Sequence, residues 1–344
     1  MENVEAVISE WERYFALRIR RGSTRAESYL AYVARLLSAD LPPILSFDHL
    51  SRLTGIDPVI LAGFIASTED FYRTFDVPKR RGGVREIEVP TPALLQVQRW
   101  ILDNILSQVG VHAACHGFYK GKSIITNAAA HLGSKAMLKM DLADFFPSIS
   151  LRRGLSVFMR LGYPPNVSYY LSALCFRNGK LPQGAATSPA LSNIVSKRMD
   201  TRLAGAANKL GLIYTRYADD LFFSGEDINH DLLGLATGII AAEGFSVNVS
   251  KTKFIKDNEK KIVTGISISS GALKLPRPLV RNLKKQVHFI LRRGYWNHIA
   301  VTGDRDPILL ERLLGRLSFW LQIEPENPTA RTLHKRLLEY SRAN

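Results

Sequence analysis

The stretch YTRYADDLFFSG, residues 214–225, sets two apolar, β-prone runs on either side of Ala218-Asp219-Asp220. Neighbouring carboxylates repel each other and hold water tightly, so their place inside a segment that otherwise favours burial needs a reason. If 212–217 and 220–224 are antiparallel strands, Asp219 and Asp220 fall at the hairpin tip, where a turn brings both groups to the rim of a sheet. On its own, an Asp-Asp pair in a turn is most often a solvated β-turn or a helix N-cap. Here the apolar flanks make that reading weaker.

A second apolar strand, SKAMLKMDL (134–142), ends in an acid of its own, Asp141. Laid beside the hairpin, it would complete a cluster of three carboxylates. Buried carboxylates need neutralising, and hard divalent cations with oxygen ligands do this well. Such a cluster suits two metal ions about 3.5–4 Å apart, one activating a hydroxyl and one stabilising a leaving oxygen.

The rest of the chain frames these strands. Residues 1–40 show apolar spacing of helical period, and LPPILS (41–46) breaks it. Helices are expected at 47–54 and 57–66, then a basic β-hairpin in VPKRRGGVREIEVPTP (77–92) turning at Gly82-Gly83, then an amphipathic helix over 93–109. Further helices are expected at 151–162, 165–176, from about Ser188, and at 229–243, with strands near 245–256 and 261–268 and a helical region from 275 that breaks at Gly303. Strand, helices, strand–turn–strand, helix and strand in that order make an α+β fold, an antiparallel sheet with helices on one face.

Composition narrows the partners. Forty-six Lys and Arg against 31 Asp and Glu give a formal charge of +15, which favours a polyanion such as nucleic acid or an acidic membrane. Residues 274–344 alone carry fourteen Lys/Arg and six Asp/Glu, about half of that excess. A solvated helical face is the plain explanation; a helical subdomain lying along a duplex is the sharper one. No apolar run reaches the ~20 residues that span a bilayer, and no signal-peptide core is present, so a cytoplasmic protein is expected. Cys115 and Cys175 lack CxxC spacing and read as core residues of a reducing compartment, and the eight histidines show no zinc-binding spacing.

Four blocks now stand in a recognisable order. YADD preceded by YTR resembles the catalytic hairpin of reverse transcriptases. MDLADFFPSIS (140–150) is similar to their first catalytic strand, LPQGAATSPALSN (181–193) to their loop-helix at the incoming nucleotide and template, and GFSVNVSKTKF (244–254) to the following lysine-bearing motif. HGFYKGKSIITNAAAH (116–131), with Asn127 and His131, and VTG, Val263-Thr264-Gly265, resemble the marks of bacterial retron reverse transcriptases. Outside the motifs, His131 alone reads as a helix-surface or core histidine, and Thr264-Gly265 as a turn at a strand end.

The resemblance implies a right-hand polymerase fold. Its parts would be an N-terminal helical extension (1–45), fingers (46–135, with the basic hairpin), a palm (136–270, with 151–190 shared with the fingers) and a helical thumb (271–344). It implies Asp141 and Asp219 as bridging metal ligands, Asp220 as the third carboxylate and the Leu142 carbonyl completing one site, with two Mg²⁺ ions as cofactors and Mn²⁺ able to substitute. It puts the amides of Asp144 and Phe145 at the triphosphate and Phe146 beneath the sugar, where a core phenylalanine is the alternative. Gln183 and Gly184 meet the nucleotide, while Arg85 and Lys79 grip phosphate. Arg80 and Arg81 touch template or water. Lys251 is a general acid toward pyrophosphate, or simply a phosphate contact or surface lysine. Tyr217 packs beside the primer end or merely within the hairpin. In RPLVRNLKKQVHFILRRGYW (277–296), Arg277, Arg281, Lys284, Lys285, Arg292 and Arg293 would hold an RNA-containing duplex, while Phe289, Tyr295 and Trp296 read equally as a helical core.

The implied activity is RNA-directed DNA synthesis on a dedicated structured non-coding RNA, primed by a 2′-OH, yielding branched RNA-linked single-stranded DNA in antiphage defence. Deoxynucleotide triphosphates, the RNA and its DNA product, a separate effector protein and a host ribonuclease H are the implied partners, with no membrane. Three other readings stand beside it: another prokaryotic reverse transcriptase of the group II, diversity-generating or abortive-infection type; a binding scaffold that holds an effector in an antitoxin-like complex; and a nucleotide cyclase, whose GGDEF-type loop is missing.

Overall fold

A computed structural model of the 344-residue chain describes residues 2–18, 24–78, 82–303 and 306–343. Helices α1 (Glu2–Arg18) and α2 (Thr24–Leu37) join through Phe15, whose ring stacks on Trp11 and Tyr29. The prolines of 41–46 end that pair. Ser46 then caps α3 (Phe47–Thr54) by accepting from the His49 amide, and Asp57 with Pro58 opens α4 (Pro58–Ala66).

The basic hairpin is longer on its N-terminal side than its sequence suggests. Strands β1 (Tyr72–Pro78) and β2 (Val84–Pro90) pair antiparallel from Tyr72↔Pro90 to Pro78↔Val84, so the ribbon starts before the basic tract. Helix α5 (Pro92–Asn104) follows, then α6 (Ile124–Ala129), closed by a capping box between Ser123 and Thr126.

A five-stranded antiparallel sheet occupies the centre. Its strands are β3 (Ala136–Ala143), β4 (Ile213–Tyr217), β5 (Asp220–Gly225), β6 (Ser246–Val247) and β7 (Lys253–Ile255), in the order β4-β5-β3-β6 with β7 also on β3. Between β3 and β4 lie α7 (Leu151–Arg160), α8 (Pro165–Cys175) and the long α9 (Ser188–Lys209); α10 (Asp231–Ala242) follows β5. The expected strand over 245–256 is interrupted by a short 3₁₀ turn at Val249–Lys251.

Alternation sorts the sheet's two faces. Leu138, Met140 and Leu142 of β3, with Leu221 and Phe223 of β5, enter the main core beside Leu94, Ile101, Phe158, Leu171, Met199 and Ile240 from the helices. Burial of side chains this size is worth ~1.5–3 kcal/mol each. On the opposite face, Met137 and Phe222 join a second cluster with Ala128 of α6 and the C-terminal helices.

That second cluster begins with a tight hairpin, β8 (Ile262–Val263) and β9 (Ile266–Ser267). Its two central residues, Thr264 (φ +45°) and Gly265 (φ +87°), both take left-handed backbone, the pattern of a two-residue type I′ turn. Helices α11 (Arg277–Arg293), α12 (Tyr295–Thr302), α13 (Leu309–Ile323) and α14 (Pro328–Ala343) complete it around Leu283, Val287, Leu313, Leu317 and Trp320. Among the described residues, no helix is long and apolar enough to cross a membrane. Cys115 and Cys175 are buried free thiols.

Candidate active site

The face of the sheet away from the main core carries the candidate carboxylates, and strand register puts them there. Asp141 lies directly opposite Asp220, and Tyr217 opposite Asp220 on the other side. One step down, Lys139 faces Phe222, which faces Thr215; Lys253 of β7 is also opposite Lys139. Since side chains alternate, all of these project from one face, and the two aspartates form its uppermost row.

Asp219 occupies the two-residue tip between Tyr217 and Asp220, after Ala218, whose φ of +53° is unusual for a residue with a Cβ. The Leu142 amide donates to the Asp219 carbonyl at 2.9 Å, so the tip is stitched to the end of β3. Burial, followed by the charges of Asp220 and Asp141, holds the Asp219 carboxyl above its ordinary range. Lysines already answer this excess of negative charge. Lys251 Nζ lies 2.9 Å from both oxygens of the nearly buried Asp141 carboxylate, and Lys139 Nζ lies 2.8 Å from Asp220. Lys139 also sits 5.1 Å from the centre of the Phe222 ring.

With Asp141 and Asp220 engaged by lysines, no three His, Cys, Asp or Glu side chains among the described residues are gathered in a metal-holding group. The donors nevertheless fit a hard divalent cation. All three are carboxylates, one resists ionisation because of its burial and then the charges of the other two, and both partner lysines are partly exposed.

The sealed face fixes the hairpin from beneath, through residues the sequence reading did not single out. Arg216 is fully buried and forms a two-pronged ion pair with Asp200 of α9, at 2.8 and 2.7 Å. Burial alone would lower the Arg216 pKa, but Asp200 raises it above its usual value. Tyr214 donates to the same carboxylate at 2.9 Å. Arg216 Nη1 reaches the Ala218 carbonyl and Asn193 Oδ1, and Asn193 Nδ2 donates to the Gly117 carbonyl at 2.7 Å. Gly117 has no room for a side chain, since a Cβ would stand 2.8 Å from the Ala218 nitrogen. The YTR tripeptide was the available signal for Arg216; nothing local marks Asp200.

Asp144 is exposed with φ +44° and begins a turn in which the Ser148 amide donates to its carbonyl. Phe145 is buried, whereas Phe146 is half-buried beside Phe118 and Phe145. The close approach at Gly184 is to the protein itself: a Cβ there would meet the Glu88 carbonyl of β2 at 2.6 Å. Gln183 exchanges contacts with the same residue, its amide donating to the Glu88 carboxylate and its carbonyl accepting from the Glu88 amide. The loop expected to touch nucleotide is thus docked on the basic hairpin. Arg85 is exposed on β2, three residues or about 10 Å farther along that strand. Lys79, with Arg80 and Arg81, lies outside the described residues.

The two short motifs meet. Thr264 Oγ1 donates to the Ile124 carbonyl at the start of α6, at 3.1 Å, and Val263 is fully buried beside Ala128 in the second cluster. His131, just after α6, is fully buried; its Nδ1 is 2.6 Å from Ser224 Oγ and its Nε2 2.7 Å from Thr215 Oγ1. Both hydroxyls stand on the carboxylate-bearing face of the hairpin. Burial, and less so His116, pushes His131 down to about 4, so it is neutral near pH 7. Asn127 is buried with neither side-chain polar atom hydrogen-bonded. Arg277, Arg281, Lys284, Lys285, Arg292 and Arg293 are all exposed on α11, opposite its buried Leu283, Val287 and Ile290. Phe289 and Tyr295 are half-buried in that bundle, while Trp296 is 79% exposed.

A family model described as "Reverse transcriptase (RNA-dependent DNA polymerase)" matches residues 77–289. The retron Mx162 reverse transcriptase of Myxococcus xanthus is 35% identical over 320 residues, covering 81% of this chain and 64% of that protein's length. The retron Ec86 reverse transcriptase of Escherichia coli is 32% identical over 310 residues, covering 89% of this chain and 91% of its own. Among solved structures, telomerase from Candida albicans in complex with a fragment of telomeric RNA superposes with a TM-score of 0.44 at 12% identity, over 77% of this chain and 62% of that one.

Proposed function

We propose, from the premise that this chain belongs to the reverse transcriptase family and is related to its retron members, that it is the RNA-directed DNA polymerase of a retron. The supporting observation is the row in which Asp141 faces Asp220 across paired strands with Asp219 at the adjoining tip. On this reading the central sheet is the palm (136–270), 46–135 with part of 151–190 the fingers, 271–344 the thumb and 1–45 an N-terminal extension.

Asp141, Asp219 and Asp220, with the Leu142 carbonyl, would hold two Mg²⁺ ions, or Mn²⁺ in their place. Bound there, the ions would acidify the attacking hydroxyl and offset charge on the leaving oxygen. The chain's own groups position the rest. Lys251, paired with Asp141, would exchange that partner for the pyrophosphate and meet it as proton donor or charge partner. Arg85 and Lys79 would bind triphosphate, the amides of Asp144 and Phe145 would line it, and Gln183 and Gly184 would hold the nucleotide from the loop on β2. Phe146 would stand under the sugar and exclude a 2′-OH. Replacing Phe146 by Ala is expected to admit ribonucleotides while retaining DNA synthesis; equal discrimination by both proteins in primer extension would reject the gate.

The template would be a dedicated structured RNA, primed from the 2′-OH of one of its guanosines and held partly by the exposed cations of α11. The product would be branched, RNA-linked single-stranded DNA, trimmed by a host ribonuclease H and serving cytoplasmic phage defence with a separate effector. Nucleic acid isolated from cells expressing the gene with its flanking DNA tests this. The expected result is a discrete short DNA covalently joined to RNA, lost in an Asp219→Ala/Asp220→Ala variant. Absence of such a DNA, with extension of ordinary primer–templates intact, would overturn the retron reading and leave the polymerase.

A further inference from the structure

Away from the carboxylate row, Glu88 of β2 and Arg177 form an ion pair between the basic hairpin and the loop that leads to Gln183. Both are mostly buried, with 18% of the Arg177 side chain and 20% of Glu88 exposed, and Arg177 Nη1 donates to Glu88 Oε1. A pair this far from water is stabilising only when its remaining polar atoms also find partners. Here one does not. Glu88 gives its second oxygen to the Gln183 amide at 3.2 Å, and among the described residues Arg177 Nε is buried without a hydrogen-bond partner. The Arg216–Asp200 pair does the opposite and closes both prongs. Stability alone favours that fork, because it leaves no buried donor unpaired. The Glu88 carboxylate is instead divided between an arginine and the backbone of a loop.

Arg177 is fixed on its own side by local structure. It opens a two-residue turn, Asn178 (φ +49°) and Gly179 (φ +71°), closed by both backbone bonds between Arg177 and Lys180. The Leu151 amide donates to the Gly179 carbonyl at 2.9 Å and the Leu181 amide to the Ile149 carbonyl at 3.1 Å, so the turn is stitched to the chain just after Phe146. The Arg177 guanidinium lies 5.6 Å from the centre of the Tyr72 ring in β1. The Tyr72 hydroxyl accepts from buried Gln98 of α5 at 2.7 Å, and Gln98 Oε1 accepts from the Ala186 amide at 3.3 Å. The loop over 181–186 is thereby held at two points, Gln183 by Glu88 and Ala186 by Gln98. Arg85 stands three residues from Glu88 on the opposite face of β2, so Glu88 sets where that strand lies without sharing Arg85's surroundings.

We propose that the Glu88–Arg177 pair is a positioning device for the incoming deoxynucleotide. It locks the basic hairpin to the loop of Gln183 and Gly184, so that Arg85 and Gln183 meet one nucleotide at a fixed separation. The proposal rests on the polymerase reading. On this assignment neither Glu88 nor Arg177 touches the nucleotide; both act through the backbone that carries its contacts. Alignment of this kind is sensitive to shifts of about 1 Å.

The test is single-nucleotide incorporation by the full-length protein on a primer–template, with the melting temperature of each variant measured beside it. Arg177→Met should lower kcat/KM for the deoxynucleotide about tenfold and leave KM for the primer–template unchanged. Arg177→Lys, which keeps the charge, should recover most of that loss. Glu88→Gln, which keeps an acceptor for the Gln183 amide, should reproduce the loss, and the double variant Glu88→Gln/Arg177→Met should be no worse than either alone. Amide hydrogen exchange in peptides spanning Glu88 and Gln183 should quicken in Arg177→Met, a readout independent of turnover. If Arg177→Met does not fold, Glu88→Gln and Arg177→Lys make the same comparison. Wild-type values of deoxynucleotide kcat/KM in Arg177→Met and Glu88→Gln would overturn the proposal and leave the polymerase assignment standing. So would an equal loss toward nucleotide and primer–template with lowered melting, the mark of a merely structural pair. A wild type that extends no primer would instead count against the assignment itself, and the proposal with it.

Discussion

Two sets of ion pairs lie on opposite sides of one hairpin, and they behave differently. On the sealed face, Arg216 and Asp200 are both fully buried and close each other's hydrogen-bonding capacity together with Tyr214 and Asn193. On the open face, Lys251–Asp141 and Lys139–Asp220 join similar groups at similar distances, but each lysine is partly in solvent. The first pair cannot be opened without stranding a charge in the core. The second set can be exchanged for other cations at little expense. One hairpin thus has a permanent electrostatic anchor below and a replaceable counter-charge above, and the facing carboxylates Asp141 and Asp220 stand on the replaceable side.

The comparison can be broken at four points. The largest effect is expected on the open face: Asp219→Asn should lower DNA synthesis by about 10³-fold or more. Its melting temperature should be unchanged or higher, because a half-buried, repelled carboxylate has been removed. Loss of fold along with activity would make Asp219 structural. On the sealed face, Asp200→Ala should destabilise the protein by about 3–5 kcal/mol in urea unfolding, since Arg216 is left charged and unpaired. A small change there would erase the distinction between the faces.

His131 sharpens the contrast through pH. Its folded pKa, about 4, lies below the ordinary 6.5, so the folded state binds fewer protons than the unfolded one between those values. The stability is complete above about pH 6.5 and is lost as pH falls toward 4, by about 3 kcal/mol for a shift of this size. His116, also lowered to about 4, and His49, lowered by burial, share the window, so His131→Gln should remove part of the acid sensitivity in a melting series. An unchanged profile would place the sensitivity elsewhere. The smallest effect is on Lys139→Met: removing a half-exposed pair worth up to ~1 kcal/mol should tighten Mn²⁺ binding about fivefold in a titration. Weaker binding would mean that the lysine assists the ion.

The three aspartates were legible because their signal is local: a two-residue tip, strands of period two and an apolar flank reveal which side chains share a face. Secondary structure was legible for the same reason, down to the break at LPPILS and the long helix from Ser188. Partners contributed by distant chain segments were not. Asp200 sits in a helix where it looks like any polar residue, and only folding brings Arg216 to it. Lys139 looks like a strand-edge lysine until β5 is laid alongside. Gly184 was expected to meet the nucleotide, whereas the crowding that bars a Cβ there comes from β2.

The facing of Asp141 and Asp220 has an evolutionary corollary. Strand parity is binary: slip β5 by a single position and Leu221 and Phe223 would look outward while the acid sank among Leu138 and Met140. No intermediate, half-competent geometry lies between those two states. Lineages carrying this fold are therefore free to lengthen or shorten the connections outside the hairpin, whereas any single-residue insertion or deletion inside it should be met with outright loss.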